Sequence, residues 1–238
     1  SIIMLGLGNN LAGGTGTLWS PYSISSLLHY YSFDTGHTLT DIGDPAVAHV
    51  TTWADQKESN DASAEDQDTS GGVDAVEAPK YSSGSVLFNN TNDWLKFDSA
   101  LELGAFSMYI RMESNDVAGD VILENADSGE FWKIQTSTQA RIKIDSERND
   151  YTFSALSTDT KFNIGVERTS AGVIMIYVNG SSTTLAGSND GNVAISGKTL
   201  FNRIGAPVVT CKVYEIVICS DALSASDRAN LNTYLNLI

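Results

Sequence analysis

The sequence predicts an all-β fold: an antiparallel two-sheet β-sandwich with one short C-terminal helix. Three observations carry this. Short apolar segments alternate with polar residues at a period of two. Gly, Asn, Ser and Asp turn signals separate those segments at near-regular spacing. Helical periodicity is confined to the C-terminal end. At 238 residues, one large sandwich with a single core accommodates the chain.

The elements follow in order. Residues 1–28 carry no charge and are rich in Gly, Ser and Asn. Two readings stand: a flexible terminus, or an arm that orders against another subunit. Ile2, Ile3, Leu5, Leu7, Leu11, Leu18 and Trp19 favour the arm, because a solvated tail needs no such residues. The main domain then spans residues 29–238. Its first strand is expected at 29–34, His-Tyr-Tyr-Ser-Phe-Asp. Residues 55–78 hold Asp55, Glu58, Asp61, Glu65, Asp66, Asp68, Asp74 and Glu77 against Lys57, and predict a long acidic surface loop.

Strand signals resume at Ser85–Phe88 and Asp93–Phe97. Phe106–Met112 alternates strongly, with the even positions facing the core. Short strands are expected at 120–124, 131–136, 140–144, 162–168 and 173–178, with a last one at 213–218. Thr169-Ser-Ala-Gly172 marks one hairpin. Asn179-Gly180 marks another, because a type I′ turn needs positive φ at both central residues. Ser224 stands three residues before Asp227, a capping-box spacing, and Leu231 and Leu235 follow at i, i+4. That predicts a helix over 225–236 with one apolar face on the sandwich.

The charge narrows the partners. There are 14 Lys and Arg against 29 Asp and Glu, a net charge of −15. Nucleic-acid binding requires cations that neutralise phosphates, and no basic cluster exists. The same balance argues against anionic membrane surfaces. No Lys or Arg precedes Lys57, so the positive start of a secretory signal is missing, and no apolar run has the length of a membrane helix. A protein made in a cytoplasm is the expectation. Cys211 and Cys219 share one β-rich run whose rise separates them by about 26 Å. That span is too long for a disulfide with each other, so buried reduced thiols are expected.

Several segments together resemble a known family. They are Tyr31-Ser-Phe-Asp34, Val50-Thr-Thr-Trp53-Ala-Asp55, Asn60-Asp61-Ala62 and Val86-Leu-Phe88 with Asn92-Asp93-Trp94-Leu95. Ile176-Tyr-Val-Asn179-Gly180, Val213–Ile218 and the closing Ala222-Leu-Ser224, Asp227-Arg228 and Leu231–Leu235 complete the set. In that order they resemble the laminin-G-like branch of the concanavalin-A-like lectin/glucanase superfamily, over about residues 29–238. The resemblance implies a jelly roll of two packed antiparallel sheets. It also implies a setting. Such domains behind a short Gly/Asn-rich start, here Leu5–Leu11, occur in bacteriophage virion proteins as head decorations or fibre parts. The acidic stretch at 55–78 is longer than the family's.

Catalytic chemistry is hard to find. Glucanases of this superfamily carry carboxylates on one strand face at i, i+2 spacing, one acting as acid and one as nucleophile or base. Glu65-Asp66-Gln67-Asp68 comes nearest but lies in a stretch without a β pattern, and Glu124 with Asp127 has the wrong parity. No Gly-x-Ser-x-Gly elbow occurs. His29, His37 and His49 lack the ligand spacing of a zinc site. Calcium is the one metal left open: Asn92 and Asp93 match the family's Asn-Asp-aromatic position at the sandwich rim, and carboxylate and amide oxygens suit a hard cation. For a glycan, Trp19, Trp53, Trp94 and Trp132 offer ring faces. Trp53 and Trp94 read as core, and Trp132, between Phe131 and Lys133, is left open.

The expectation is therefore a non-enzymatic bacteriophage virion protein, a capsid decoration or fibre-associated component anchored by its N-terminal arm. Its partners would be the major capsid protein or other virion proteins, with a homo-oligomer, trimeric at quasi-threefold positions, in view. The alternative is a lectin-like module for host surface glycans, with or without calcium.

Overall fold

The computed structural model describes residues 19–32, 34–42, 47–66, 71–73, 77–89, 93–117, 119, 121–125, 130–144, 147–183, 195–200 and 210–238. Its strands are β1 (Leu27–Tyr31), β2 (His37–Thr40), β3 (His49–Trp53), β4 (Ala62–Ser63), β5 (Lys80–Tyr81), β6 (Val86–Phe88), β7 (Leu95–Leu103), β8 (Phe106–Ser114) and β9 (Val121–Asn125). They continue with β10 (Glu130–Thr136), β11 (Gln139–Ile144), β12 (Glu147–Thr152), β13 (Phe162–Arg168), β14 (Ile174–Val178), β15 (Ser181–Ser182), β16 (Ile195–Leu200) and β17 (Cys211–Cys219). One helix, α1 (Ala225–Leu235), follows. The all-β sandwich with a short C-terminal helix is the observed architecture.

Two antiparallel sheets face each other. The first runs β1, β17, β8, β13, β14, β15, with β6 extending the β1 edge along Cys211–Val213. The second runs β2, β3, β4, β7, β16, β9, β10, β11, β12. β5 joins β3 to β6 and so ties the two sheets at one side.

Between the sheets lies the main core. Phe106, Met108, Ile110 and Met112 of β8 enter it, as do Phe162, Ile164 and Val166 of β13 and Val213, Ile216 and Ile218 of β17. The second sheet answers with Trp53, Phe97, Trp132, Ile134, Ile142 and Tyr151. Each such side chain contributes roughly 1.5–3 kcal/mol by leaving water.

The even positions of β8 face this core, yet the odd positions are buried too. Helix α1 and the segment before β1 cover the outer face of the first sheet. There Tyr109, Val217 and Cys219 pack with Ile24, Leu27, Leu223, Leu231 and Leu235. Ser224 caps the helix as its spacing predicts, its hydroxyl accepting the Asp227 N–H at 3.0 Å. Gly165 of β13 makes room for this layer: a Cβ there would stand 2.2 Å from Cε1 of Tyr109. Asn179 and Gly180 both take positive φ, 49° and 83°, as the β14–β15 turn requires.

Two expectations need correction, and the open position of Trp132 is decided. Residues 55–78 are not a solvated loop throughout: Asp55, Asn60, Ala62, Glu77 and Ala78 are buried, and β4 pairs with β3 and β7. The first strand begins at Leu27 rather than His29. Trp132, 1% exposed, belongs to the core, because its neighbours Lys133 and Glu130 are themselves nearly buried in the β9–β10–β11 ladder. The cysteines lie at the two ends of β17 as buried thiols not joined in a disulfide.

Candidate functional site

A groove of about 610 Å³ opens where both sheets end. One wall is the connection from β12 to β13, residues 152–162, and the other is β14's end with β15 and Thr183. Backbone bonds fix both walls. Phe153 N–H donates to Thr138 O at 3.0 Å and Leu156 N–H to Ser137 O at 2.8 Å, so the first wall is stitched to the β10–β11 turn. Asp159 N–H donates to Ser114 O at 2.8 Å and anchors its far end to β8. On the second wall, Asn179 N–H donates to Asn163 O and Asn163 N–H donates to Asn179 Oδ1, each at 2.9 Å, and Thr183 N–H donates to Ile176 O at 2.8 Å.

The lining is unusual in composition. Ser154, Ser157, Thr160, Ser181, Ser182 and Thr183 present hydroxyls, and Asn179 adds an amide. Phe153, half-buried, supplies an apolar face, and Lys161 supplies the one charge among the described residues of the lining. Hydroxyls and amides both donate and accept, so this surface matches a ligand that does the same. Thr183 is 7% exposed, and its Oγ1 is buried with no hydrogen-bond partner among the described residues. A buried hydroxyl left without a partner is costly. The sequence carried two signals of this groove: the Asn179-Gly180 turn, and the hydroxyl-dense run from Thr152 to Thr160.

The residues singled out from sequence fall elsewhere. Ile2, Ile3, Leu5, Leu7, Leu11 and Leu18 lie outside the described residues, as does Asn92. Trp19 is half-buried against the layer beneath α1, its ring 5.9 Å from that of Tyr234. Asp93 is 1% exposed, and its Oδ2 accepts the Asn89 N–H at 2.9 Å, holding the turn after β6. Among the described residues no group of three or more His, Cys, Asp or Glu side chains could hold a metal ion. Trp53 is fully buried and donates from Nε1 to Ser32 O at 2.9 Å, while Trp94 is half-buried.

The carboxylate candidates are engaged in local structure. Glu65 pairs with Lys96 at 2.7 Å, and Asp66 accepts the N–H groups of Gly71 and Gly72, each at 2.9 Å. Asp68 and Asp127 lie outside the described residues. The three histidines sit apart in role. His29 Nδ1 lies 2.7 Å from Asp55 Oδ2, His37 stacks on Trp53 at 5.3 Å, and His49 is buried in β3. Asp55 also accepts the N–H groups of Tyr30 and Lys57, both at 3.0 Å. Burial works against its charge, but the His29 bond and the two amides outweigh it and hold the carboxyl below its usual range.

No protein-family model matches the chain, and no curated protein sequence matches it. Solved structures do. A Trypanosoma rangeli sialidase in complex with sialic acid aligns with a TM-score of 0.58 at 13% identity, over 90% of this chain and 34% of the sialidase. The botulinum neurotoxin type G receptor-binding domain aligns at 0.55 and 12%, over 88% of this chain and 51% of that domain. The serotype D ligand-binding domain, solved with N-acetylneuraminic acid, aligns at 0.57 and 10%, over 91% and 52%. At such identities the likeness is one of fold: a β-sandwich of the lectin-like kind. The chain spans about a third of the sialidase and half of each toxin domain.

Proposed function

We propose that this chain is a carbohydrate-binding, lectin-like module of the jelly-roll kind, and that the groove between β12 and β15 is its binding face. The observation that carries the reading is the groove's lining: seven hydroxyl side chains and the Asn179 amide around a half-buried Phe153, with one of those hydroxyls, Thr183 Oγ1, buried and without a partner among the described residues. A saccharide presents alternating hydroxyls and a C–H face, which this lining complements. Support also comes from the fold, which is shared with structures solved with sialic acid or N-acetylneuraminic acid. No hydrolytic role is proposed: of the carboxylates weighed from sequence, Glu65 pairs with Lys96 and Asp66 accepts the Gly71 and Gly72 N–H groups.

A glycan array with the purified chain tests this, run with wild type and with Ser182→Trp. Ser182 is an exposed β15 residue on the groove wall, so a tryptophan there fills the groove without touching the core. Binding by wild type that Ser182→Trp loses, at an unchanged thermal midpoint, supports the reading. Absence of binding to every glycan overturns it. A parallel array with chelator decides the calcium expectation: loss of binding would place a cation in the site.

A second reading keeps the virion setting. It is favoured by residues 1–28, which are uncharged and carry Ile2, Ile3, Leu5, Leu7, Leu11 and Leu18 ahead of Trp19, itself packed beneath α1. In that setting the apolar arm holds the chain to a capsid or fibre protein, as a homo-oligomer, and presents the groove outward. Co-sedimentation with phage shells, with and without residues 1–18, tests it. Equal recovery in the pellet without those residues removes the arm from the reading.

A further inference from the structure

The groove's electrostatics run against those of the chain as a whole. Acidic residues outnumber basic ones 29 to 14 in the chain, yet among the described residues none lines the groove and Lys161 does. Lys161 is exposed at the rim, with Nζ 4.0 Å from the centre of the Tyr214 ring. Two more cations stand near it. Lys212 Nζ lies 2.8 Å from Glu113 Oε1, and Tyr214 O–H donates to Glu113 Oε2 at 3.1 Å. Arg111 is nearly buried and donates from Nη1 to amide oxygens, Asn163 Oδ1 at 3.1 Å and Asn236 Oδ1 at 3.4 Å. Lys161 and Lys212 therefore share Glu113 as their local carboxylate. Glu113 is already engaged by Lys212 and Tyr214, and no carboxylate among the described residues lies within salt-bridge distance of Lys161.

We infer that the groove selects an acidic saccharide, one whose carboxylate sits against the Lys161 ammonium while its hydroxyls meet the Ser, Thr and Asn179 side chains. The inference rests on the glycan-binding reading and narrows it to a substrate class. Its physics is local. At physiological salt, exposed charges more than about 8 Å apart are largely screened, so the net negative charge does not repel a ligand held at this rim. Burial of its stem and the nearby Arg111 and Lys212 charges push the Lys161 ammonium down against the opposing pull of Glu113. A carboxylate at the rim relieves that repulsion and adds a charge-assisted hydrogen bond.

The test is calorimetric titration at 0.15 M salt with sialyllactose, its methyl ester and lactose. Expected is a preference of about tenfold for the acid over the ester, as one charge-assisted bond supplies. Lys161→Gln should erase the preference while leaving the ester's affinity, and Lys161→Arg should keep it. Lys57→Gln, an exposed cation away from the groove, should change nothing. Equal affinity of wild type for acid and ester overturns the inference and leaves the glycan-binding reading standing. Failure of wild type to bind any of the three overturns both. Loss of the preference in Lys57→Gln overturns it as well, by assigning the effect to the overall field.

Discussion

Arg228 of α1 donates to both carboxylate oxygens of Glu167 on β13, from Nε and from Nη2, each at 2.8 Å. The same Glu167 Oε1 accepts the Tyr109 hydroxyl at 2.5 Å. The guanidinium also lies 4.3 Å over the Tyr177 ring and donates to Leu223 O at 2.8 Å. Its bond with Glu167 raises the arginine pKa further. This clamp fixes the helix to the outer face of the first sheet. Arg228→Ala leaves the nearly buried Glu167 carboxylate without its cation, at a cost of about 3 kcal/mol. Urea denaturation should show that loss, and amide exchange should show α1 opening before the strands beneath it.

Asp55 predicts an acid limb of stability. Its carboxyl is held below the usual value of 3.8 in the folded chain. A depressed carboxylate stabilises the fold above its unfolded pKa, and that contribution is lost as pH falls through the folded value. The thermal midpoint should therefore hold from neutral pH to about pH 4 and fall below it. Asp55→Asn should lower the midpoint at neutral pH, by roughly 3 kcal/mol of stability, and flatten the decline. An unchanged acid limb in Asp55→Asn would assign the decline to other groups.

Gly165→Ala should destabilise by about 2 kcal/mol, because the new methyl would collide with the Tyr109 ring, which the clamp to Glu167 holds in place. Chemical denaturation gives the figure. Pairing it with Tyr109→Ala should recover part of the loss relative to the sum of the two single changes.

The cysteine thiols should be silent in the native protein. Burial pushes the Cys219 thiol up to about 12, and Cys211 is 3% exposed. Since thiolate is the reactive form, a disulfide reagent at pH 8 should titrate almost no thiol until denaturant is added, and then two per chain. Prompt reaction of either would contradict the burial of β17.

Alternation made β8 legible in sequence, since Phe106, Met108, Ile110 and Met112 could serve one face only. The burial of Tyr109 and Arg111 was not legible, because the cover over them is a helix more than a hundred residues later. Ser224 and Asp227 announced that helix through a local bond, and local bonds are what a sequence displays. Asp55 sat unread within a run of acids: its partner His29 is 26 residues away, and composition does not separate a buried staple from a solvated charge. Of the groove the sequence displayed only its parts, the Asn179-Gly180 turn and the run from Thr152 to Thr160, and not that they meet. Ser154 and Thr183 are ordinary turn residues until β12 and β15 bring them to one opening.

The position of β17 has a consequence for how the chain acquires its shape. Residues 211–219 lie between β1 and β8, pairing Tyr31 with Ile216 on one side and Ile110 with Ile216 on the other. During synthesis both neighbours therefore emerge with an open edge and wait for a segment nearly two hundred residues downstream of the first. Such distant pairing makes for slow maturation and leaves exposed strand edges during the interval. A ribosome halted before residue 211 would hold a chain prone to self-association, and assistance from a chaperone would matter most in that window.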